Sequence, residues 1–150
     1  MSRVDFAFGA PDRMVMACQV ARKRYDAGER LVVYCSDQRR LAAFDRLLWT
    51  FDDIAFIPHA AGDDPSADAM PVVLTPQAPD ALLRDAAAEA ESPTWLLNLD
   101  DACPPAYTRF MRVMEIVSDA DDDKLAARQR WRAYAAAGDD VRSHKIGATA

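Results

Sequence analysis

The segment ARQRWRAYAAAG, residues 127–138, sets Arg128, Arg130 and Arg132 around Trp131 and Tyr134 with no acidic residue among them. On a helix Arg128, Trp131, Arg132 and Ala135 share one face, and Lys124 lies one turn earlier on the same stripe. Guanidinium groups hold carboxylates in a bidentate fork and an indole covers apolar surface, so this face suits an acidic ligand with an apolar anchor. The same residues equally fit an ordinary docked helix, with Trp131 and Tyr134 in the core and the arginines solvated. Stacking of single-stranded nucleic acid on the aromatics is a further reading, although one patch on an acidic chain makes a poor channel. A second cluster, Trp49, Phe51 and Phe56 in LLWTFDDIAFIPH (47–59), is either a core plug or an exposed anchor patch for a partner.

Catalytic and cofactor constellations do not assemble. The turn where a sheet would hold a nucleotide reads FAFGAPDRM, with Gly9 alone, and neither GxGxxG nor GxxxxGK occurs anywhere. The two histidines, His59 and His144, and the three cysteines, Cys18, Cys35 and Cys103, have no metal-ligand spacing. His59 beside Asp63 and Asp64 has the parts of a general base, but no nucleophile motif accompanies it and a loop histidine is the plainer reading. Acid pairs at 52–53, 63–64, 100–101 and 139–140 fall at element ends, where Asp serves turns and helix caps. No metal, cofactor or catalytic role is expected.

Composition narrows the classes further. Of 150 residues 51% are apolar and 28% charged, which is the balance of a globular chain with a packed core. The 18 Lys and Arg against 24 Asp and Glu leave a net charge of −6, unfavourable for broad wrapping of nucleic acid. The odd cysteine count without CxxC points to a reducing cytoplasm, and charges break up the N-terminal apolar stretch, against a signal peptide. No run reaches the roughly 20 apolar residues of a membrane span.

The elements that must carry these residues alternate. Short β-type runs are VDFAF (4–8), LVVYC (31–35), IAFI (54–57), PVVLT (71–75), TWLLNL (94–99) and RVMEIV (112–117). Helical spacing predicts helices over 12–28, capped by Asp12 and Gly28 with Val15, Cys18, Ala21, Arg22 and Tyr25 on its inner face, over 36–49, starting at a capping Ser36 or Asp37 and burying Leu41, Phe44 and Leu48, and over 79–91. A last helix begins in the acid run SDADDD (118–123). Residues 60–71 read as a surface loop, and 142–150 as a flexible tail. The alternation predicts a single-domain, Rossmann-like α/β fold of three layers, with a mostly parallel sheet, helices on both faces, right-handed crossovers and no glycine loop.

ACQVARKRYDAGERLVVYCSDQRRLAAFDRLLWTFDDIAFIPHAAGDD (17–64) and MEIVSDADDDKLAARQRWRAYAAAGDDV (114–141) together resemble the chi subunit of bacterial DNA polymerase III holoenzyme. The likeness lies in the order and spacing of AGERLVVYC, FDRLLW, FIPH and ARQRWRAYAAAG, and is looser in between. It implies a noncatalytic adaptor in DNA replication that binds the acidic, Phe-terminated C-terminal tail of single-stranded DNA-binding protein. It also implies a heterodimer with the psi subunit, which links the protein indirectly to the clamp-loader complex. A repair helicase stands as a further candidate partner, and neither membrane nor strong direct nucleic-acid binding is implied. The tail-binding positions fall on Val117, Arg128, Trp131 and Arg132, with Trp and Arg at the last two where the family commonly carries a tyrosine and a lysine. Lys124 and Arg130 are expected as electrostatic helpers. The psi-facing positions fall on Trp49 and Phe56, with Phe51 added for its proximity; the 60–71 loop is shorter and more acidic than the family pattern. The alternative of a small α/β nucleotide-binding or enzymatic domain using the sheet crevice is the competing class.

Overall fold

The computed structural model describes residues 1–51 and 56–146. In chain order the elements are β1 (Arg3–Ala10), α1 (Arg13–Asp26), β2 (Leu31–Tyr34), α2 (Gln38–Thr50), β3 (His59–Ala61), β4 (Val72–Thr75), α3 (Ala86–Glu91), β5 (Trp95–Asn98), β6 (Arg112–Ser118), α4 (Asp121–Ala136) and β7 (Asp140–Lys145). The strands form one sheet in the order β3-β4-β2-β5-β6-β1-β7, and every pairing is parallel. The expected α/β class holds, and the sheet is parallel throughout.

Strand alternation divides the core in two. Leu31, Val33, Leu74, Leu97 and Ile116 face Ala17, Cys18 and Ala21 of α1 and Leu41, Phe44 and Leu48 of α2. Val32, Leu96, Val113, Val4 and Phe6 face Ala127 and Tyr134 of α4, together with Leu82, Leu83, Tyr107 and Phe110 from short turns. Each fully buried side chain of the size of Phe44 or Leu48 contributes roughly 2 kcal/mol. On α1 the buried stripe is Ala17, Cys18 and Ala21, and Val15, expected inside, is 37% exposed. Small residues there let the helix lie close to the sheet. The caps fall where the sequence placed them: Asp12 accepts from the backbone N–H groups of Met14 and Val15, and Asp37 from those of Arg39 and Arg40. Gly28, at φ +76, ends α1.

Four expectations are corrected. The helix predicted over 79–91 is broken into a 3-10 turn, Pro79–Leu82, and α3. Leu83 turns extended, which sends it with Leu82 into the core, and Asp85 starts a new helix by capping the Ala88 N–H. The supposed loop at 60–71 carries most of β3, an edge strand paired only to β4, and a 3-10 turn at Ala67–Ala69. Its HAA sequence has no β-branched residue to announce it. Residues 142–145, expected in a flexible tail, belong to β7, which pairs with β1 from Arg3↔Asp140 to Phe8↔Lys145. Of the predicted IAFI strand, 54 and 55 lie outside the described residues and Phe56 and Ile57 are not in a strand; 147–150 also lie outside them. Among the described residues no helix is long and apolar enough to cross a membrane.

At the β1–β7 end, the face toward α1 is polar and partly open: Arg3, Asp5 and Ala7 are half-buried and Arg142 and His144 exposed. Burial alone would raise the pKa of Asp5, but hydrogen bonds from His144 and Arg3 and the charges of Arg3 and Arg112 hold it below the usual carboxylate value. A carboxylate with a lowered folded-state pKa contributes stability above its unfolded pKa, about 4, and loses it as pH falls through the folded value. In urea unfolding, the stability gap between wild type and Asp5→Asn is therefore expected to be widest near neutral pH and to close below about pH 4.

Candidate functional site

Beside α4 the chain forms a concave pocket of about 450 Å³. Its walls include Lys124, Arg128, Trp131 and Arg132 from α4, Val117 and Ser118 from β6, Phe6, Phe8 and Gly9 from β1, and Ser143 and Lys145 from β7. All five positions expected to bind the tail, Val117, Lys124, Arg128, Trp131 and Arg132, thus line one cavity.

Helical geometry explains the selection. Residues 128, 131 and 132 follow the i, i+3, i+4 rule and face the β1–β7 end of the sheet, whereas residues two apart lie on nearly opposite sides. Arg130 accordingly points inward and is 2% exposed, so the expectation that it assists the patch is corrected. Its Nε donates to Glu115 Oε1 at 3.0 Å and its Nη1 to the Asp101 carbonyl at 3.1 Å. Tyr134 is wholly buried and donates its hydroxyl to Glu115 Oε2 at 2.7 Å. Burial raises the Glu115 pKa, while the Arg130 and Arg13 guanidiniums oppose the rise.

Trp131 serves both readings of the helix. Its ring packs on Phe6 at 5.1 Å between centroids and closes the core, while its half-exposed remainder walls the pocket. Lys124, Arg128 and Arg132 are exposed and form no ion pair among the described residues. Among the described residues Asp119 is the only acid lining the pocket. The floor is apolar, with Phe6 and Val117 buried and Phe8 40% exposed. A cavity with an aromatic wall, apolar floor and unpaired cations can seat an apolar anchor and hold carboxylates around it.

Of the strand-borne part of the pocket, sequence reasoning named Val117 alone. Parallel register sets Phe8 beside both Val117 and Lys145. Gly9, at φ +87, is the extra residue where the β1–β6 register slips between Phe8 and Ala10. The glycine that stands where a phosphate loop would begin thus makes a β-bulge that bends the pocket wall. Phe8 and Lys145 could be placed only once β7 was known to pair with β1.

The aromatic cluster at 49–56, open between core plug and exposed patch, divides between the two. Trp49 is 51% and Phe56 63% exposed, with ring centroids 5.2 Å apart, forming a surface pair. Phe51 is half-buried and packs on the core under α1 and α2. Beneath Trp49 lies His59, at 4.5 Å between rings, whose Nε2 meets Asp45 Oδ1 at 2.6 Å; Asp63 and Asp64 are not its partners. Asp64 instead accepts from Ser66, and Asp139 from the Ser2 N–H and the Tyr107 hydroxyl. The pair at 52–53 lies outside the described residues.

The crevice at the carboxyl ends of β1, β5 and β6 is occupied by Arg13. Its Nη2 donates to the carbonyls of Asn98 and Asp100, and Asp123, Glu115 and Asp101 lie 3.6, 3.8 and 4.0 Å from the guanidinium. Among the described residues no group of three His, Cys, Asp or Glu could hold a metal ion.

Because the Glu115–Arg130 pair is fully buried, Arg130→Met is expected to lower the unfolding free energy by about 3 kcal/mol. Arg128→Ala, at an exposed position, should change it by less than about 0.5 kcal/mol; urea titration of both variants measures the contrast.

The family model for DNA polymerase III chi subunit, HolC, matches residues 1–142. The chain is 31% identical to the DNA polymerase III subunit chi of Pseudomonas aeruginosa, over 97% of this chain and 98% of that one. It is 29% identical to the subunit chi of Escherichia coli K12, over 82% and 78% of the two chains, and 21% identical to that of Haemophilus influenzae, over 88% and 86%. A polymerase-subunit family match across nearly the whole sequence, on a parallel α/β sheet, establishes that the chain belongs to the DNA polymerase III chi subunit family.

Proposed function

We propose that this protein is a noncatalytic accessory subunit of DNA polymerase III, an adaptor that takes the acidic, Phe-terminated tail of single-stranded DNA-binding protein into the pocket beside α4. The observation that carries the reading is the convergence of Val117, Lys124, Arg128, Trp131 and Arg132 on one cavity. The terminal Phe fits the floor of Phe6, Phe8 and Val117 against Trp131, and the tail carboxylates meet Lys124, Arg128 and Arg132. The exposed Trp49–Phe56 pair is the docking surface for psi, through which the protein reaches the clamp loader in the cytoplasm.

By calorimetry, a synthetic peptide with several Asp residues and a C-terminal Phe is expected to bind with roughly micromolar affinity. The affinity should fall as salt rises from about 0.05 to 0.3 M. Arg128→Ala and Arg132→Glu should each weaken it by about tenfold or more. Unchanged affinity in both variants would sink the site assignment. In the same preparations Trp49→Ala should lose co-purification with psi while keeping peptide binding; loss of both together would contradict two separate surfaces.

A further inference from the structure

The basic side chains at the β7 end of the sheet do not stop at this pocket. Along β7, Ser143 and Lys145 line the pocket beside α4, while His144 between them faces the opposite side. There a second cleft, of about 310 Å³, is lined by Arg3, Lys23, Arg24 and Arg112 around Trp95. The guanidinium carbons of Arg24 and Arg112 lie 4.3 and 4.2 Å from the Trp95 ring centre. Among the described residues two carboxylates answer these four cations. Glu29 pairs with Arg24 at 3.0 Å, and Asp5 is divided among Arg3 at 3.2 Å, Arg112 at 3.2 Å and His144 at 2.8 Å. Lys23 is exposed and forms no ion pair among the described residues. Glu115 carries its carboxylate to the other face, toward Arg130. The cleft is therefore short of negative charge on a chain whose net charge is −6.

We propose that this second cleft is a binding site for an acidic peptide segment, continuous with the pocket beside α4. A ligand anchored against Trp131 crosses the β7 edge and sets further carboxylates against Lys23, Arg3 and His144. The inference rests on the tail-binding function proposed above and extends it to a longer ligand. Both clefts combine a tryptophan, excess cations and an apolar floor, which in the second is Ala7, Val20, Met114 and Ile116. A peptide alternating acidic and apolar side chains matches that floor. A nucleic acid strand matches it less well, because Trp95 is already engaged by two guanidiniums instead of offering a face for base stacking.

Calorimetry with two synthetic peptides tests it: a short acidic one ending in Phe, and the same peptide extended at its N-terminus by alternating Asp and Leu. On wild-type protein the extended peptide is expected to bind about tenfold tighter. In Lys23→Glu and in Lys23→Glu/His144→Gln, both changed at exposed positions, that gain should vanish while the short peptide binds as before. No gain on wild type, or a gain that survives the double variant, overturns the inference and leaves the pocket beside α4 intact. Failure of the short peptide on wild type instead overturns the tail-binding function, and this extension with it. Binding of oligodeoxythymidylate to wild type that is lost in Lys23→Glu assigns the cleft to nucleic acid and also overturns the proposal.

Discussion

The buried ion pair of Glu115 and Arg130 sets the orientation on which the pocket depends. Glu115 sits in β6 with no exposed surface and accepts from Arg130, Tyr134 and the Asn98 side-chain amide. Two of those donors belong to α4 and one to β5, so a single carboxylate fixes the helix against the sheet at one rotation. With Arg130 held inward, Arg128 and Arg132 have to face out, because residues two apart on a helix point to nearly opposite sides. A buried charge without partners costs several kcal/mol, so any rotation that broke the pair would be strongly disfavoured. The same arginine closes the end of the crevice by bonding the Asp101 carbonyl, and Arg13 fills the remainder.

That arrangement divides the molecule by chemistry. The carboxyl ends of β1, β5 and β6, where a doubly wound sheet commonly presents a ligand, are closed by internal ion pairs of Arg13 with Asp101, Glu115 and Asp123. Among the described residues, exposed cations without an ion pair gather on the outer side of α4 and around the β7 edge, with Arg39 and Arg46 standing apart on α2. An acidic chain can thus present a locally basic surface without spreading positive charge over the whole, and electrostatic attraction is confined to ligands small or extended enough to follow it.

Much of this was legible in the residues. Period-2 runs located β1, β2, β4, β5 and β6 because their side chains are apolar on both faces or alternate cleanly, and Asp12, Asp37 and Gly28 marked helix ends through local hydrogen bonding and φ. The stripe of Lys124, Arg128, Trp131 and Arg132 was legible for the same reason, since it depends only on helical period. What escaped depends on tertiary context. β3 reads HAA and β7 reads DVRSHK, and neither carries the apolar signature of a strand, because edge strands in this sheet have one neighbour and a largely solvated surface. Arg130 looked like its neighbours in sequence, and only the Glu115 carboxylate across the α4–β6 interface distinguishes it.

The place of β1 between β6 and β7 bears on how the pocket comes into being. Its walls are supplied by residues 6–9, 117–132 and 143–145, so the first strand contributes to a surface that only the last strand completes. Pairings of such sequence separation close late, since the entropy of a long loop must be overcome before their contacts form. The rest of the sheet can therefore assemble while the pocket is still open on one side. The cavity is complete only when residues 140–145 dock beside residues 3–8; with that pairing unmade, α4 would stand against β6 and enclose no pocket.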